Sequence, residues 1–406
     1  MSAKNMAFLT IVTRNYYWWA KTWAESVRRH HPEAEVIIAF ADRPTDGIRT
    51  HLKEFQLLSI AEQADEISIK DYRRMAFGYT PFELTCALKP FVVRWLHRQY
   101  DRVVYMDADT SVYRQLREVL SALEDHNVLV TPHLLRPQSG ERESRIRAAG
   151  TLNGGFLATR RGSPCEAFLD WWAERCRFDC YIDPYSGHFV DQSWLDLAPS
   201  LFDPIRVLRD ASHNVAYWNI DQRTIRESDG NFFVGQQPLG FFHFSGFEPG
   251  KPNTLSRFDN QVLSDELLAL TSDYRTRLRG NQHPDLVDLS SEFSHYEDGT
   301  EISIYHREAI RCRLPELDSV EDPFQLPRQP EKIGMLDALR PRMILSRKVW
   351  QMEELQQEAN QQTQWIRKRQ QRRLDRRVLN ALRGLYSLVA ERIVPSRSGS
   401  NRERAA

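Results

Sequence analysis

Short apolar runs alternate with stretches of helical spacing over the first 110 residues. "AFLTIVT" (7–13) and "AEVIIAFAD" (34–42) have the length and density of buried strands. Between them, "RNYYWWAKTWAESVRRHHP" repeats its apolar positions at helical spacing and stops at Pro32. "DEISIKD" (65–71) alternates apolar and polar residues and predicts a third strand. "PFELTCALKPFVVRWLHRQY" (81–100) predicts a helix interrupted or restarted at Pro90, ahead of the strand "RVVYMDAD" (102–109). Strands alternating with helices imply an α/β fold with a mostly parallel sheet covered by helices on both faces. Such sheets hold ligands beyond the carboxyl ends of their strands.

Farther along, "HNVLVTPH" (126–133) and "NGGFLATRR" (153–161) predict strands, and "CEAFLDWWAERCRF" (165–178) an amphipathic helix. The polar "RPQSGERESRIRAAG" (136–150) reads as a loop. "FVDQSWLDLAPSLF" (189–202), "NVAYWNI" (214–220) and "LGFFHFSGF" (239–247) complete the expected core. Past residue 270 the rhythm fades. The pattern divides the chain into a core domain at 1–270, an irregular proline-containing extension at 271–342, a long helical segment at 343–394 and a disordered tail at 395–406.

Charge separates the end of the chain from its body. The whole chain is formally neutral, with 55 Lys/Arg and 55 Asp/Glu, yet from Trp365 onward twelve Lys/Arg face three acids. That excess lies on a helical pattern with an apolar stripe at Val378, Leu382, Leu385, Val389 and Ile393. Two readings stand equal. Residues 372–393 could lie on an anionic membrane surface as an amphipathic helix, or the Gln/Glu-rich 343–380 could self-associate. Little aromatic interleaving argues against nucleic acid. No apolar run reaches the ~18 residues of a membrane span, and "MSAKNMAFLTIVT" reads as a first strand, not a leader. The expected location is cytoplasmic, with peripheral attachment to the inner face of the cell membrane as a corollary of the first tail reading. Five cysteines without zinc-like spacing read as reduced thiols.

The chemistry centres on Asp107 and Asp109, at the end of the strand in "VVYMDADT". Two carboxylates one residue apart on a strand point to one side and repel unless a cation lies between them. Alone, the pair could also end a strand as a turn cap. It also fits the D-x-D-x-T pattern of haloacid-dehalogenase-type phosphatases, whose first aspartate is a nucleophile; the later acidic pair such enzymes need is missing here. Further groups follow in order: Asn153 with Gly154 and Gly155 in "TLNGGFLA", Asp191 and Gln192 in "FVDQSWL", and His243, Gly246 and Lys251 in "FFHFSGFEPGKP". Glycines allow close approach of backbone to a ligand.

The ordered set resembles GT-A-fold, Rossmann-like nucleotide-sugar glycosyltransferases. It is most similar to the retaining family 8 and to bacterial cell-surface polysaccharide glycosyltransferases, through "LKPFVVRWL", "VVYMDADT", "NGGFLA", "FVDQSWLDLAPSLF", "NVAYWN" and "FFHFSGF", over roughly residues 7–262. The resemblance implies that Asp107, Asp109 and His243 bind Mn2+ or Mg2+, which bridges the two phosphates of a nucleoside-diphosphate sugar, a UDP-sugar first among them. Lys251 matches a diphosphate-binding lysine, Gly246 belongs to the same donor loop, and Lys89 lies about where the family has a basic donor contact. Asn153 matches a contact to a sugar hydroxyl, with Gly154 and Gly155 beside it. Thr13, Arg14 and Asn15 match the region of the base and ribose. Asp191 and Gln192 match the pair beside the anomeric carbon; which of them would act, through an ion pair or a covalent intermediate, stays open. The usual Lys-Pro-Trp appears here as "KPN". The implied activity is hexosyl transfer to a glycan or lipid-linked acceptor, with retention. A non-catalytic sugar-nucleotide-binding scaffold is the alternative from another class.

Overall fold

The computed structural model describes residues 4–337, apart from 204, 260, 313–316 and 318–319. The expectations for 343–394 and 395–406, including the basic stripe, lie outside the described residues.

Fourteen strands are found among the described residues: β1 (Lys4–Val12), β2 (Glu35–Phe40), β3 (Gln56–Ser59), β4 (Tyr100–Met106), β5 (Thr110–Val112), β6 (Val128–Pro132), β7 (Leu152–Arg160), β8 (Ile182–Asp183), β9 (His188–Phe189), β10 (Ile205–Val207), β11 (Ile225–Ser228), β12 (Asn231–Val234), β13 (Gln237–Pro238) and β14 (Phe241–His243). Seven of them form the central sheet, in the order β10-β6-β7-β4-β1-β2-β3. β1 pairs in parallel with β2 and β4, β2 with β3, and β6 with β10, while β7 runs antiparallel between β4 and β6. This is the α/β mixed sheet flanked by helices that the sequence predicts.

Both faces of the sheet are buried, which is why its strands read as unbroken apolar runs. Along β1, Ala7, Leu9 and Ile11 enter one core cluster and Met6, Phe8 and Val12 the other. The predicted break at Pro90 is real. One helix spans Pro81–Ala87, with Thr80 and Glu83 closing its start reciprocally, and a second spans Lys89–Leu96 with Pro90 in its first turn.

Two local expectations need correction. The third strand is Gln56–Ser59, not 65–71; Ile60–Ile67 is a helix that Ser68 ends in the left-handed conformation. Ile67 and Ile69 are buried as the alternation suggested, but a helix end and its turn bury them, not a strand. The polar stretch 136–150 contains a helix, Gly140–Ala149, with no buried residue. It has no apolar period to betray it; an exposed Glu141–Arg145 pair one turn apart supports it instead.

The boundary placed at residue 270 falls inside the helix Asp265–Asn281, and the described residues through Leu336 form one compact unit. Asp42, just past β2, ties the later segment to the sheet. Its carboxylate accepts the backbone N–H of Arg14 at 2.8 Å and that of Glu292 at 3.0 Å. Burial pushes the Asp42 carboxyl up to about 6, against the pull of those two N–H groups. Between its ordinary value and 6, the folded state therefore binds more protons than the unfolded chain, so stability falls as pH rises through that window. Asp42→Asn stays neutral and should lack this fall. In urea titrations, the wild type should lose up to about 3 kcal/mol relative to the variant between pH 4 and 7; parallel profiles would refute the assignment.

Candidate metal and donor site

The aspartate pair lies in a turn, not on the strand. β4 ends at Met106, and Thr110 closes the turn by donating its backbone N–H to the Asp107 carbonyl at 3.0 Å. The two carboxylates therefore converge through turn geometry, in place of the strand alternation expected. β5 leaves that turn and pairs with β14, setting His243 opposite Thr110. Phe244 then donates its N–H to the Asp109 carbonyl at 2.7 Å. Residues more than 130 positions apart thus meet through one short antiparallel pair.

Ligand atoms of Asp107, Asp109 and His243 all lie within 4.8 Å of one another. His243 Nε2 is 3.0 Å from Asp109 Oδ1 and 3.9 Å from Asp107 Oδ2. Burial opposes charge on this imidazole, but the Asp109 and Asp107 carboxylates outweigh it and hold the ring above its ordinary value. Two carboxylate oxygens and one imidazole nitrogen form a donor set compatible with a divalent metal ion. The residues present fit such an ion.

Beneath the carboxylates lies Lys89, with a side chain 2% exposed. Its Nζ donates to the Gly154 carbonyl at 2.9 Å and pairs with Asp191 at 3.1 Å and Asp107 at 3.4 Å. Tyr105 completes the cluster. Its ring centroid is 4.9 Å from the ammonium, and its hydroxyl donates to Asp107 Oδ1 at 2.5 Å. Burial pushes the Asp191 carboxyl up, and Lys89 pulls it back.

The "NGG" block forms an irregularity in the sheet. Along β6, the β7 partner jumps from Leu157 at Val130 to Asn153 at Thr131, leaving Gly154, Gly155 and Phe156 without a β6 partner. Bulges re-aim backbone near functional sites. Here the Gly154 carbonyl accepts from Lys89, while on the β4 side the regular register continues, with the Gly155 carbonyl accepting the Asp107 N–H at 2.9 Å. A Cβ on Gly155 would lie 2.4 Å from the His243 ring and 2.9 Å from Asp107 Oδ2; one on Gly154 would lie 2.7 Å from Asp191 Oδ2. Gln192 braces the bulge, accepting the Gly154 N–H at 3.1 Å and donating to the Ala149 carbonyl at 2.6 Å.

Asp107, Asp109, His243, Lys89, Asn153, Gly154, Gly155, Asp191 and Gln192 thus form one connected cluster. Other candidates have different partners. Lys251 is 60% exposed and pairs with Glu248 at 2.7 Å. Gly246 is left-handed, with the Phe258 ring where a Cβ would be. Thr13 donates to Asn15 at 2.7 Å in the turn after β1, and Arg14 Nε donates to the Ser290 carbonyl at 2.6 Å. Three residues join the cluster that the sequence reading gave no role: Tyr105, His133 and Asn214. Tyr105 was within reach, since it sits two positions before Asp107 on an alternating strand. His133 and Asn214 carry no local signal.

No family model matches the chain. The Bacillus subtilis (strain 168) protein YfnF, described as uncharacterized, is 24% identical over 270 residues, covering 64% of this chain and 87% of that protein. Among solved structures, the glycosyltransferase GlyE of Streptococcus pneumoniae TIGR4 aligns at 15% identity with a TM-score of 0.40, over 72% of this chain and 68% of that one. The galactosyltransferase LgtC, in complex with donor and acceptor sugar analogues, aligns at 18% identity with a TM-score of 0.38, over 69% and 98%. Both of these solved structures are glycosyltransferases; the sheet of this chain is of the mixed α/β kind described above. Among the described residues no helix is long and apolar enough to cross a membrane.

Lys89 offers a direct test of this electrostatic arrangement. Lys89→Met would leave the buried Asp191 carboxylate without its cation, a change that costs about 3 kcal/mol or more. Urea unfolding should show that loss without any ligand present. An unchanged unfolding free energy would mean that Lys89 is not the structural counter-ion of the pair.

Proposed function

We propose that this protein is a metal-dependent glycosyltransferase. It transfers a hexosyl group from a nucleoside-diphosphate sugar, with UDP-sugars the first donors to test. The acceptor is a glycan or a lipid-linked glycan of bacterial surface polysaccharide synthesis, and the anomeric configuration is retained. One observation carries the reading: Asp107, Asp109 and His243 converge beyond the carboxyl end of β4, within the same cluster as the buried Asp191. A phosphatase built on the same aspartates has no use for a third, imidazole ligand from a strand so distant in sequence.

Asp107, Asp109 and His243 would hold the divalent ion, which supplies Lewis-acid stabilisation of a departing diphosphate. The protein's own groups do the rest. Lys89 fixes the carboxylates of Asp107 and Asp191 relative to each other, so the leaving-group side and the sugar side of the site share one anchor. Asp191 presents a carboxylate next to the side-chain-free Cα of Gly154, where positive charge develops on a sugar losing its leaving group. Asn153 and the glycine bulge position the sugar, and the loop from Gly246 to Lys251 contributes to donor binding. The turn at Thr13, Arg14 and Asn15 lies at the carboxyl end of β1 and takes the nucleoside.

Hydrolysis and transfer should be screened across UDP-, GDP-, ADP- and TDP-sugars with Mn2+ and again after EDTA. Activity should appear with one donor family, vanish on chelation and return with Mn2+. Asp107→Ala and Asp109→Ala should each lower turnover at least a hundredfold, and NMR of the first-formed product should show the donor's anomeric configuration. Full activity in either alanine variant would overturn the reading.

A further inference from the structure

A chain of hydrogen bonds starts at a group whose role is fixed. The backbone N–H of Gly155 can only donate, and it lies 3.2 Å from Asn153 Oδ1. Asn153 therefore presents its oxygen there and its amide nitrogen to His133 Nε2, 3.2 Å away. The same Asn153 oxygen is 3.1 Å from Asn214 Nδ2, which also donates to Thr131 Oγ1 at 2.9 Å. With its nitrogen so committed, Asn214 turns its oxygen to His243 Nδ1 at 3.3 Å. His243 Nδ1 must then carry a proton. Nε2, the nitrogen facing Asp109, is the one left to present its lone pair to a cation.

Asn214 is fully buried and held in place from its backbone. His243 donates its N–H to the Val215 carbonyl at 2.7 Å, and Asn219 donates to the Asn214 carbonyl at 3.1 Å. Asn214 itself is left-handed, with φ of 51°, a conformation that asparagine tolerates far better than most residues. The Trp218 ring meets His243 edge-on at 5.1 Å and limits its rotation.

We infer that Asn214 is a positioning residue for the metal site: it fixes the ring orientation and tautomer of His243 so that Nε2 faces Asp107 and Asp109. This inference rests on the metal reading of the triad. Partners of this kind commonly set metal affinity by 10–100-fold. The arrangement also gives the glycine bulge a second task, because the Gly155 N–H sets the orientation of both amides in the chain.

The test is Mn2+ binding to the full chain, measured by calorimetry and by electron paramagnetic resonance, together with nitrogen NMR of the His243 ring. Asn214→Gly keeps the left-handed backbone unstrained and should weaken Mn2+ binding at least tenfold, with loss of the Nδ1-protonated ring signal. Asn214→Asp loses the donor to Asn153 but retains an acceptor for Nδ1–H, so it should keep the Nδ1-protonated ring signal that Asn214→Gly loses. Thr131→Val removes another bond of the same asparagine without touching His243, and it should also stay within about threefold. Wild-type affinity in a folded Asn214→Gly protein would overturn the inference. So would an equal loss in Thr131→Val, which would mark a general packing effect. A wild-type chain that binds no Mn2+ would overturn the metal reading itself, and this role with it.

Discussion

Lys89, Asp191 and Asp107 are packed together beyond the carboxyl end of the interior strand β4, and the site is built around that contact. Moving an isolated ammonium or carboxylate out of water costs several kcal/mol, even after relaxation. The cost is tolerable only when the charges neutralise one another and their remaining hydrogen-bonding capacity is met. Lys89 has an ion pair on each side and a backbone carbonyl as a third partner. Burial works against its charge, yet Asp107 and Asp191 hold the ammonium well above its ordinary value. Each of the three elements contributing these groups must stay in register for the arrangement to survive. The helix Lys89–Leu96, the turn after β4 and the segment after β9 are thereby locked to one another by electrostatics as well as by packing.

The polar cluster also explains two departures from regular structure. β7 is the antiparallel strand between two parallel neighbours, and an ordinary ladder there would give its backbone no polar group to spare. The irregularity after Asn153 leaves the Gly154 carbonyl free for Lys89, while Gly155 keeps its ladder bond to the Asp107 N–H. Glycine is required at 155 because the His243 ring occupies the space a side chain would take. The short β5–β14 pair is the second departure. It stands apart from the main sheet and carries His243 to the aspartates.

Much of this was legible in the sequence, and the pieces that were not share physical causes. Buried strands and the Pro90 break announce themselves through apolar runs and punctuation. The helix Gly140–Ala149 buries nothing, so it leaves no period to read. "DEISIKD" buries its two isoleucines as a strand would, but from a helix end, and alternation over so few residues does not separate the cases. For the site, residue type and order pointed to Asp107, Asp109 and His243, whereas the turn that joins the aspartates did not show. Lys89 was placed by resemblance as a donor contact; its burial under two carboxylates is a tertiary fact. Asn214 opens "NVAYWNI" without a local sign of its partners, and only the fold brings it to His243.

The same geometry separates Asp191 from Gln192, which sequence alone left side by side. A group that attacks or stabilises an anomeric carbon needs an oxygen not already committed to the scaffold. The Gln192 oxygen accepts the Gly154 N–H, and its nitrogen donates to the Ala149 carbonyl, so each end of the amide is tied to backbone. Asp191 is tied through Lys89, and its carboxylate fills the space beside the side-chain-free Cα of Gly154. Freeing Gln192 would mean giving up the support of the strand that orients Asn153, and through Asn153 the amide chain to His243. Under the proposed function, Gln192 then belongs to the frame of the site and Asp191 is the carboxylate to test for the chemistry.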